Sequence, residues 1–268
     1  MSTAAISPTE RVIAKVDNAI GWLVFNHPAK RNALSIDMWQ AIPIVLGRFE
    51  QEPAIRAVVL RGAGERAFTS GADVSEFEQL RGTPADQARY NAISEAALTR
   101  LQTFPKPTIA MIQGYCMSIG LGIALACDLR FAGRSACFAS LAARLSLTYR
   151  WSDIKKLVDL IGPARTKDFF YSVRQVPADE AAAMGLVETV QPDSEIEAFT
   201  RAYCARIAEN APLSMTATKR IVAELVKPSS EIDRDLCKAI VAGCYASEDY
   251  VEGRRAFMEK RKPVFKGK

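Results

Sequence analysis

Between residues 105 and 128 the chain reads PKPTIAMIQGYCMSIGLGIALACD, and from Ile109 to Cys127 it carries no charged side chain. An uncharged run of that length approaches what crosses a bilayer. Here, however, Gly114, Gly120 and Gly122 weaken a continuous helix, Gln113 interrupts the apolar run, and no basic cluster flanks it. The residues instead predict a strand at 108–112, a glycine-bearing turn, and a helix at 118–126 that is apolar on every side. That is the pattern of a helix enclosed by protein rather than by lipid. Such a segment needs a core large enough to enclose it. With 268 residues, 49% of them apolar, the chain can build one large core, or one main domain with an appendage.

The flanking sequence supplies the other layers. Residues 11–17 and 20–25 alternate about Asn18-Ala19 and predict a β-hairpin. A polar loop with Pro28 follows. Ser35 is placed to cap a helix over 36–50, whose Trp39, Ile42, Leu46 and Phe49 form one stripe and whose Pro43 is expected to kink it. A buried strand is expected at 57–60, a loop at 61–64 and an extended piece at 67–68. Ile93, Ala97, Leu101 and Phe104 recur at helical spacing until Pro105 and Pro107 end the run. Residues 129–132 read as a strand. The amphipathic helix 153–161 is expected to stop at Gly162-Pro163. Residues 178–184 read as a helix leading into a strand at 186–190. Beyond Pro192 only helical patterns remain, at 194–210, 213–226, 231–246 and 249–260. The expected fold is α/β: repeated strand–strand–helix units over 1–195, then a helical region over 196–268.

Bulk properties exclude several function classes. The net charge of +5 mildly favours small anionic ligands, but the Lys and Arg are scattered, which argues against nucleic acid. Six cysteines show no C-x-x-C pair, and His27 is the only histidine, so no metal site is expected. The thiols read as buried and reduced, as in a cytoplasmic protein. The opening MSTAAISPTER has no apolar core of signal-peptide form.

Several segments, taken in order, carry a resemblance. They are NHPAKRNALS at 26–35, VVLRGAGERAFTSGADVSEF at 58–77, PKPTIAMIQGYCMSIGLGIALACDLRFA at 105–132, AAAMGLVETVQP at 181–192, NAPLSMTATKRIV at 210–222 and EGRRAFMEKRKPVF at 252–265. The chain resembles the crotonase superfamily, the enoyl-CoA hydratase/isomerase family, across about residues 10–266. The resemblance implies a crotonase-like spiral of stacked β-β-α units. It also implies C-terminal helices that assemble a homotrimer or a dimer of trimers, and an acyl-CoA thioester substrate. Coenzyme A then enters as part of the substrate, with no bound cofactor, no metal, no nucleic acid and no membrane.

The resemblance also implies site residues. Enolate formation from a thioester needs donors aimed at the carbonyl oxygen as charge grows on it. The implied donors are the backbone N–H groups of Ala72, after Gly71, and of Ile119, at a helix start beside Gly120. Read alone, Gly71 and Gly120 are turn and packing glycines. The family usually carries three glycines where this chain has Ser118-Ile119-Gly120, so a stiff β-branched Ile at the donor position is expected to narrow the acyl pocket. Lys30, Arg31 and Ala33 fall where the family holds the nucleotide of coenzyme A. Phe257 and Lys260 match residues that reach it, often in a neighbouring subunit. The lysines and Arg31 are equally readable as solvated surface charges. Asp73 lies beside the thioester site, where it and Asp128 read as acids that tie down turns.

The family's two hydratase glutamates fall on Gly122 and Ala142, neither of which transfers a proton. A third acid position falls on Arg150. The remaining ionisable candidates are Arg144, Tyr149, Arg150 and Asp153. Asp153 also reads as an N-terminal helix acid, and Cys116, without a histidine partner, is not expected to be a nucleophile. Three functions stay open at this point. One is hydration or isomerisation of an acyl-CoA through an oxyanion-stabilised enolate, one a decarboxylation that uses arginines, and one acyl-CoA binding without catalysis.

Overall fold

A computed structural model describes residues 7–76 and 82–268. The signal-peptide reading of residues 1–6 and the Phe77 end of the 58–77 motif lie outside them. Two sheets organise the core. Strands β1 (Val12–Asp17), β2 (Ile20–Phe25), β3 (Ala57–Gly62), β5 (Thr108–Ile112), β7 (Leu129–Gly133) and β10 (Thr189–Gln191) form the larger one, in that order. Only the β1–β2 hairpin is antiparallel there. Strands β4 (Ala67–Thr69), β6 (Tyr115–Met117), β8 (Cys137–Ala139) and β9 (Val176–Pro177) form the smaller sheet.

The chain alternates between the sheets, giving β3 then β4, β5 then β6, and β7 then β8. Helices follow these pairs: α2 (Pro84–Gln102), α3 (Ile119–Ala126) and α4 (Trp151–Ser172). Each pair with its helix is one turn of a spiral, so equivalent corners of successive turns stack on one another. The fold is crotonase-like, as expected.

Both faces of the larger sheet are buried, which is why its strands are nearly continuous apolar runs. Leu23, Val58, Leu60, Ala110 and Ile112 face the main core with Met38, Trp39 and Phe49 of α1 (Ile36–Glu50). Their alternates Trp22, Val24, Val59, Ile109 and Met111 face a second cluster with Ile196 and Cys204 of α6 (Ile196–Ala208). The uncharged 109–127 stretch becomes β5, β6 and the eight-residue α3. Among the described residues no helix is long and apolar enough to cross a membrane.

Several local expectations are corrected. Pro43 lies within one continuous helix. Ser35 does not cap α1 with its side chain; its hydroxyl bonds Asp37, and the Ile36 N–H donates to the Glu76 carboxylate at 3.0 Å. Gly162 breaks the helical path with φ +79°, but Pro163 opens a further helical segment that carries α4 on to Ser172. The strand expected at 186–190 starts later, at Thr189. Helix α5 (Ala178–Ala183) links β9 to that strand, and α7 (Pro212–Leu225), α8 (Arg234–Tyr245) and α9 (Glu248–Met258) complete the helical end.

Candidate active site

Two corners of the spiral meet at the start of α3. Strands β4 and β6 pair in parallel, Thr69 opposite Cys116, so the turns that leave them run side by side. After β4, Gly71 takes φ +117°, a conformation that favours glycine. A Cβ there would already lie 3.6 Å from the Ser118 Cβ. Leu34 then pairs with this turn on its other side: the Leu34 N–H donates to Gly71 O at 2.8 Å, and the Asp73 N–H donates to Leu34 O at 2.8 Å. Amides alternate along an extended chain. The Ala72 N–H between them therefore points away from Leu34 and has no partner among the described residues.

The second donor comes from the helix. Ser118 takes φ 50°, ψ −110°, and the chain then enters α3 at Ile119. The first backbone bond of this turn runs from Gly122 N–H to Ser118 O, at 3.3 Å. The amides before it are unpaired by construction and sit at the positive end of the helix dipole. At the other end of α3 the buried Arg130 guanidinium donates to the carbonyl of Cys127 at 3.1 Å. Gly120 is required by contact: a Cβ there would stand 2.5 Å from Thr69 Cγ2 and 2.9 Å from Thr69 O. The β4 turn and the α3 terminus thus touch through a position that tolerates no side chain.

The strained backbone of this turn lies at Ser118 and not at Ile119. Ile119 is the first helical residue, and its side chain is half-buried against the main core. A non-glycine residue at positive φ outside the left-handed helical well costs about 1–3 kcal/mol. Serine bears that cost at Ser118 while its N–H donates to Ala139 O at 2.9 Å.

The 26–35 loop braces the site from outside. Asn32, buried and at φ 55°, accepts from His27 N–H at 3.0 Å and donates to Ala63 O and Ala67 O at 3.0 and 2.7 Å. Lys30 bonds both oxygens of the buried Asp73 carboxylate, at 3.1 and 2.8 Å, and the Ser75 hydroxyl at 2.7 Å. Burial alone would raise the Asp73 pKa, but the bonds from Lys30 and Ser75 outweigh it and hold the carboxyl below its ordinary value. Lys30 is thus committed to the turn that carries Ala72. Arg31 is exposed and lies over the Tyr115 ring at 5.4 Å, while Ala33 is buried. Asp128 receives Thr108 N–H at 2.8 Å and Lys219 at 2.9 Å, tying β5 to α7.

Other candidates are placed unevenly. Gly122 is buried in the second turn of α3, yet a Cβ there would find nothing within 4 Å. Ala142 opens the short 3-10 turn Ala142–Leu145, with Arg144 exposed on it. Asp153 is engaged, by Arg150 Nε at 3.1 Å and Lys156 at 4.0 Å. Phe257 and Lys260 are exposed on the far helical end and are not brought to this turn within one chain. No cluster of metal ligands occurs among the described residues.

Three polar atoms stand out between α3 and the loop before α4. Ser140 Oγ, Tyr149 Oη and Arg150 Nη1 are each buried without a hydrogen-bond partner. The phenol faces the hydroxyls of Ser118 and Ser140 without reaching hydrogen-bond geometry with either. Burial pushes its pKa up, and those hydroxyls moderate the rise. Asn32, Arg130 and Ser140 escape sequence reasoning. Only the asparagine carried a signal, as a residue suited to a left-handed turn beside Pro28.

The chain as a whole is similar to known proteins. Residues 15–268 match the model of the family described as Enoyl-CoA hydratase/isomerase. A short-chain-enoyl-CoA hydratase of Clostridium acetobutylicum is 29% identical over 94% of this chain and 95% of its own. A peroxisomal Delta(3,5)-Delta(2,4)-dienoyl-CoA isomerase of Arabidopsis thaliana is 28% identical over 99% of each. The crystal structure of an enoyl-CoA hydratase/carnithine racemase from Magnetospirillum magneticum superposes with a TM-score of 0.91 at 32% identity, covering 99% of both chains.

Proposed function

Because the chain belongs to the enoyl-CoA hydratase/isomerase family, we propose that it is a lyase or isomerase that hydrates or isomerises an acyl-CoA thioester through an enolate held by two backbone amides. The observation that carries this reading is the contact at Gly120, which sets the Ala72 turn against the α3 terminus. The thioester oxygen would accept from Ala72 N–H and Ile119 N–H. Both are fixed before substrate arrives, so charge growing on that oxygen meets donors that need no reorganisation. Named relatives that hydrate or isomerise CoA thioesters favour this over decarboxylation or binding without catalysis.

Two glutamates do not carry the proton transfers here, since Gly122 and Ala142 occupy those positions. Coenzyme A enters as part of the substrate, its nucleotide held beside Arg31 and Ala33, with Lys30 bracing the turn through Asp73. Residues 196–268 serve assembly in this reading. Their helices enclose a groove of about 940 Å³, and Phe257 and Met258 beside it are 83% and 81% exposed. An apolar face of this kind suits contact with another copy, as homotrimer or dimer of trimers. Such contact would carry Phe257 and Lys260 to a neighbouring site. The six unpaired thiols support a reducing, cytoplasmic setting.

A panel of 2-enoyl-CoA and 3-enoyl-CoA thioesters of rising chain length tests the function. Turnover of at least one, by hydration or by double-bond migration, is expected. Tight binding with no conversion of any would make the chain a binder and overturn the reading.

A further inference from the structure

The chemistry above lacks a proton carrier, and the Tyr149 cluster has the properties of one. Ser118 is the residue immediately before the amide donor Ile119. Its hydroxyl accepts from Leu141 N–H at 3.2 Å, and its own N–H donates to Ala139 O, so the 139–141 segment is fastened to the start of α3. Ser140 lies in that segment and is fully buried. Tyr149 reaches the same place from the loop before α4, its ring braced by Phe170 at 5.0 Å between centroids. A buried hydroxyl without a partner costs about 1–3 kcal/mol. Two such hydroxyls beside a helix N-terminus are unusual in a protein interior and call for a functional account. Gly122, one turn along α3 from Ser118, leaves open space where a side chain would otherwise stand. The family's carboxylate positions fall on Gly122 and Ala142, while the hydroxyls of Ser118, Ser140 and Tyr149 gather before the start of α3.

We propose that Tyr149 is a catalytic residue that delivers the proton to the α-carbon of the thioester enolate, with Ser118 and Ser140 orienting its hydroxyl. This rests on the reading that Ala72 and Ile119 hold the enolate oxygen. In hydration, a water oxygen bonds the β-carbon while the double-bond electron pair moves toward the α-carbon and the thioester oxygen. The α-carbon then takes the phenolic proton as the Tyr149 O–H bond breaks. The phenolate takes the surplus proton of the added water, which restores the phenol. No other reactant is needed, and elimination follows the same path in reverse.

The surroundings suit an acid rather than a base. Burial raises the phenol pKa, and the Asp153 carboxylate and the Cys116 thiol raise it further, while the two serine hydroxyls lower it. Arg150, beside it, spends Nε on Asp153. Tyr149 therefore stays protonated through the neutral range.

The test follows hydration of the best 2-enoyl-CoA of the panel in D2O by NMR, reading deuterium at the α-carbon, for wild type, Tyr149→Phe and Ser140→Ala. In Tyr149→Phe, kcat is expected to fall about 10²- to 10⁴-fold, the range of general acid catalysis, with KM changed little. The wild-type rate should show no carboxylate-type limb between about pH 5 and 9. Ser140→Ala should raise the phenol's ultraviolet titration and lower kcat by about tenfold. An active wild type matched within threefold by Tyr149→Phe, with the same pH profile, overturns the role of Tyr149 alone. Should Tyr149→Phe fail to fold, Ser140→Ala decides, and unchanged kcat and titration overturn the proposal. A wild type that converts no member of the enoyl-CoA panel and exchanges no α-protons of the matching saturated acyl-CoAs removes the enolate reading and the proposal together.

Discussion

Gly120→Ala is the smallest change that separates the two halves of the site. The added Cβ would stand 2.5 Å from Thr69 Cγ2 and 2.9 Å from Thr69 O. Carbon atoms rest at about 3.5–4.0 Å, so the β4 turn and α3 must part by about 1 Å. The Thr69 side chain can rotate away, but its carbonyl belongs to the backbone and cannot. Overpacking of this kind costs about 1–3 kcal/mol, offset by the 0.5–1 kcal/mol that alanine gains over glycine in a helix. Net destabilisation is therefore about 0–2.5 kcal/mol, a Tm loss of up to about 10 °C for a chain of this size. The kinetic effect is larger, because a displacement of about 1 Å at a reacting centre costs about 10²-fold. Gly122→Ala is the control, since its Cβ would meet nothing within 4 Å. It should raise Tm slightly. The assay is paired: thermal unfolding of both variants, and kcat of Gly120→Ala on the best 2-enoyl-CoA. Gly120→Ala retaining kcat within threefold, with Tm unmoved, would refute the close approach on which the site is built.

Further outcomes follow from the bracing residues and thiols. Asn32→Ala strands the His27 N–H and the Ala63 and Ala67 carbonyls and should cost about 2–4 kcal/mol in urea unfolding. Lys30→Met leaves the buried Asp73 carboxylate with Ser75 alone and should cost about 1–3 kcal/mol while lowering kcat, because the Ala72 turn loosens. The Asp73 carboxyl is depressed when folded, so its contribution is present above the unfolded carboxylate value of 3.8 and is lost as pH falls through the lower folded one. Asp73→Asn should therefore flatten the acid limb of stability measured by urea unfolding between about pH 2 and 5. Burial raises the Cys116 thiol well above its ordinary value and the Cys127 and Cys204 thiols to about 12. Iodoacetamide at pH 8 should leave these three unlabelled in the native protein, with mass spectrometry as the readout.

The larger sheet and the long helices were legible because each carries its own period. Strands β3, β5 and β7 are apolar runs bounded by Gly, Pro or Asp, and α1 and α2 carry clear stripes. The smaller sheet was not legible. Its strands β6, β8 and β9 are two or three residues long, too short for alternation to register, and they exist only because successive turns of the spiral stack. Gly162-Pro163 misled in a related way: a stop for one helical segment is also a start for the next, since proline is favoured in a first turn. The proposed donor pair rests on ordered motifs, because no local pattern announces that the turn after β4 and the start of α3 meet at Gly120. The strain at Ser118 was hidden too, since serine gives no hint of a positive φ. The Asn32 latch and the Ser140 hydroxyl depend on partners 31 to 35 residues away or on burial, and neither is written in spacing.

One measurement addresses the amide pair most directly. Isotope-edited infrared difference spectra of a saturated acyl-CoA labelled with ¹³C at the thioester carbonyl report the bond order of that carbonyl in the bound state. Two amides donating to one oxygen should move the stretch of the bound ligand to lower wavenumber, and Gly120→Ala should return it most of the way to the free value. A bound thioester whose carbonyl stretch matches that in water, in both proteins, would contradict the account.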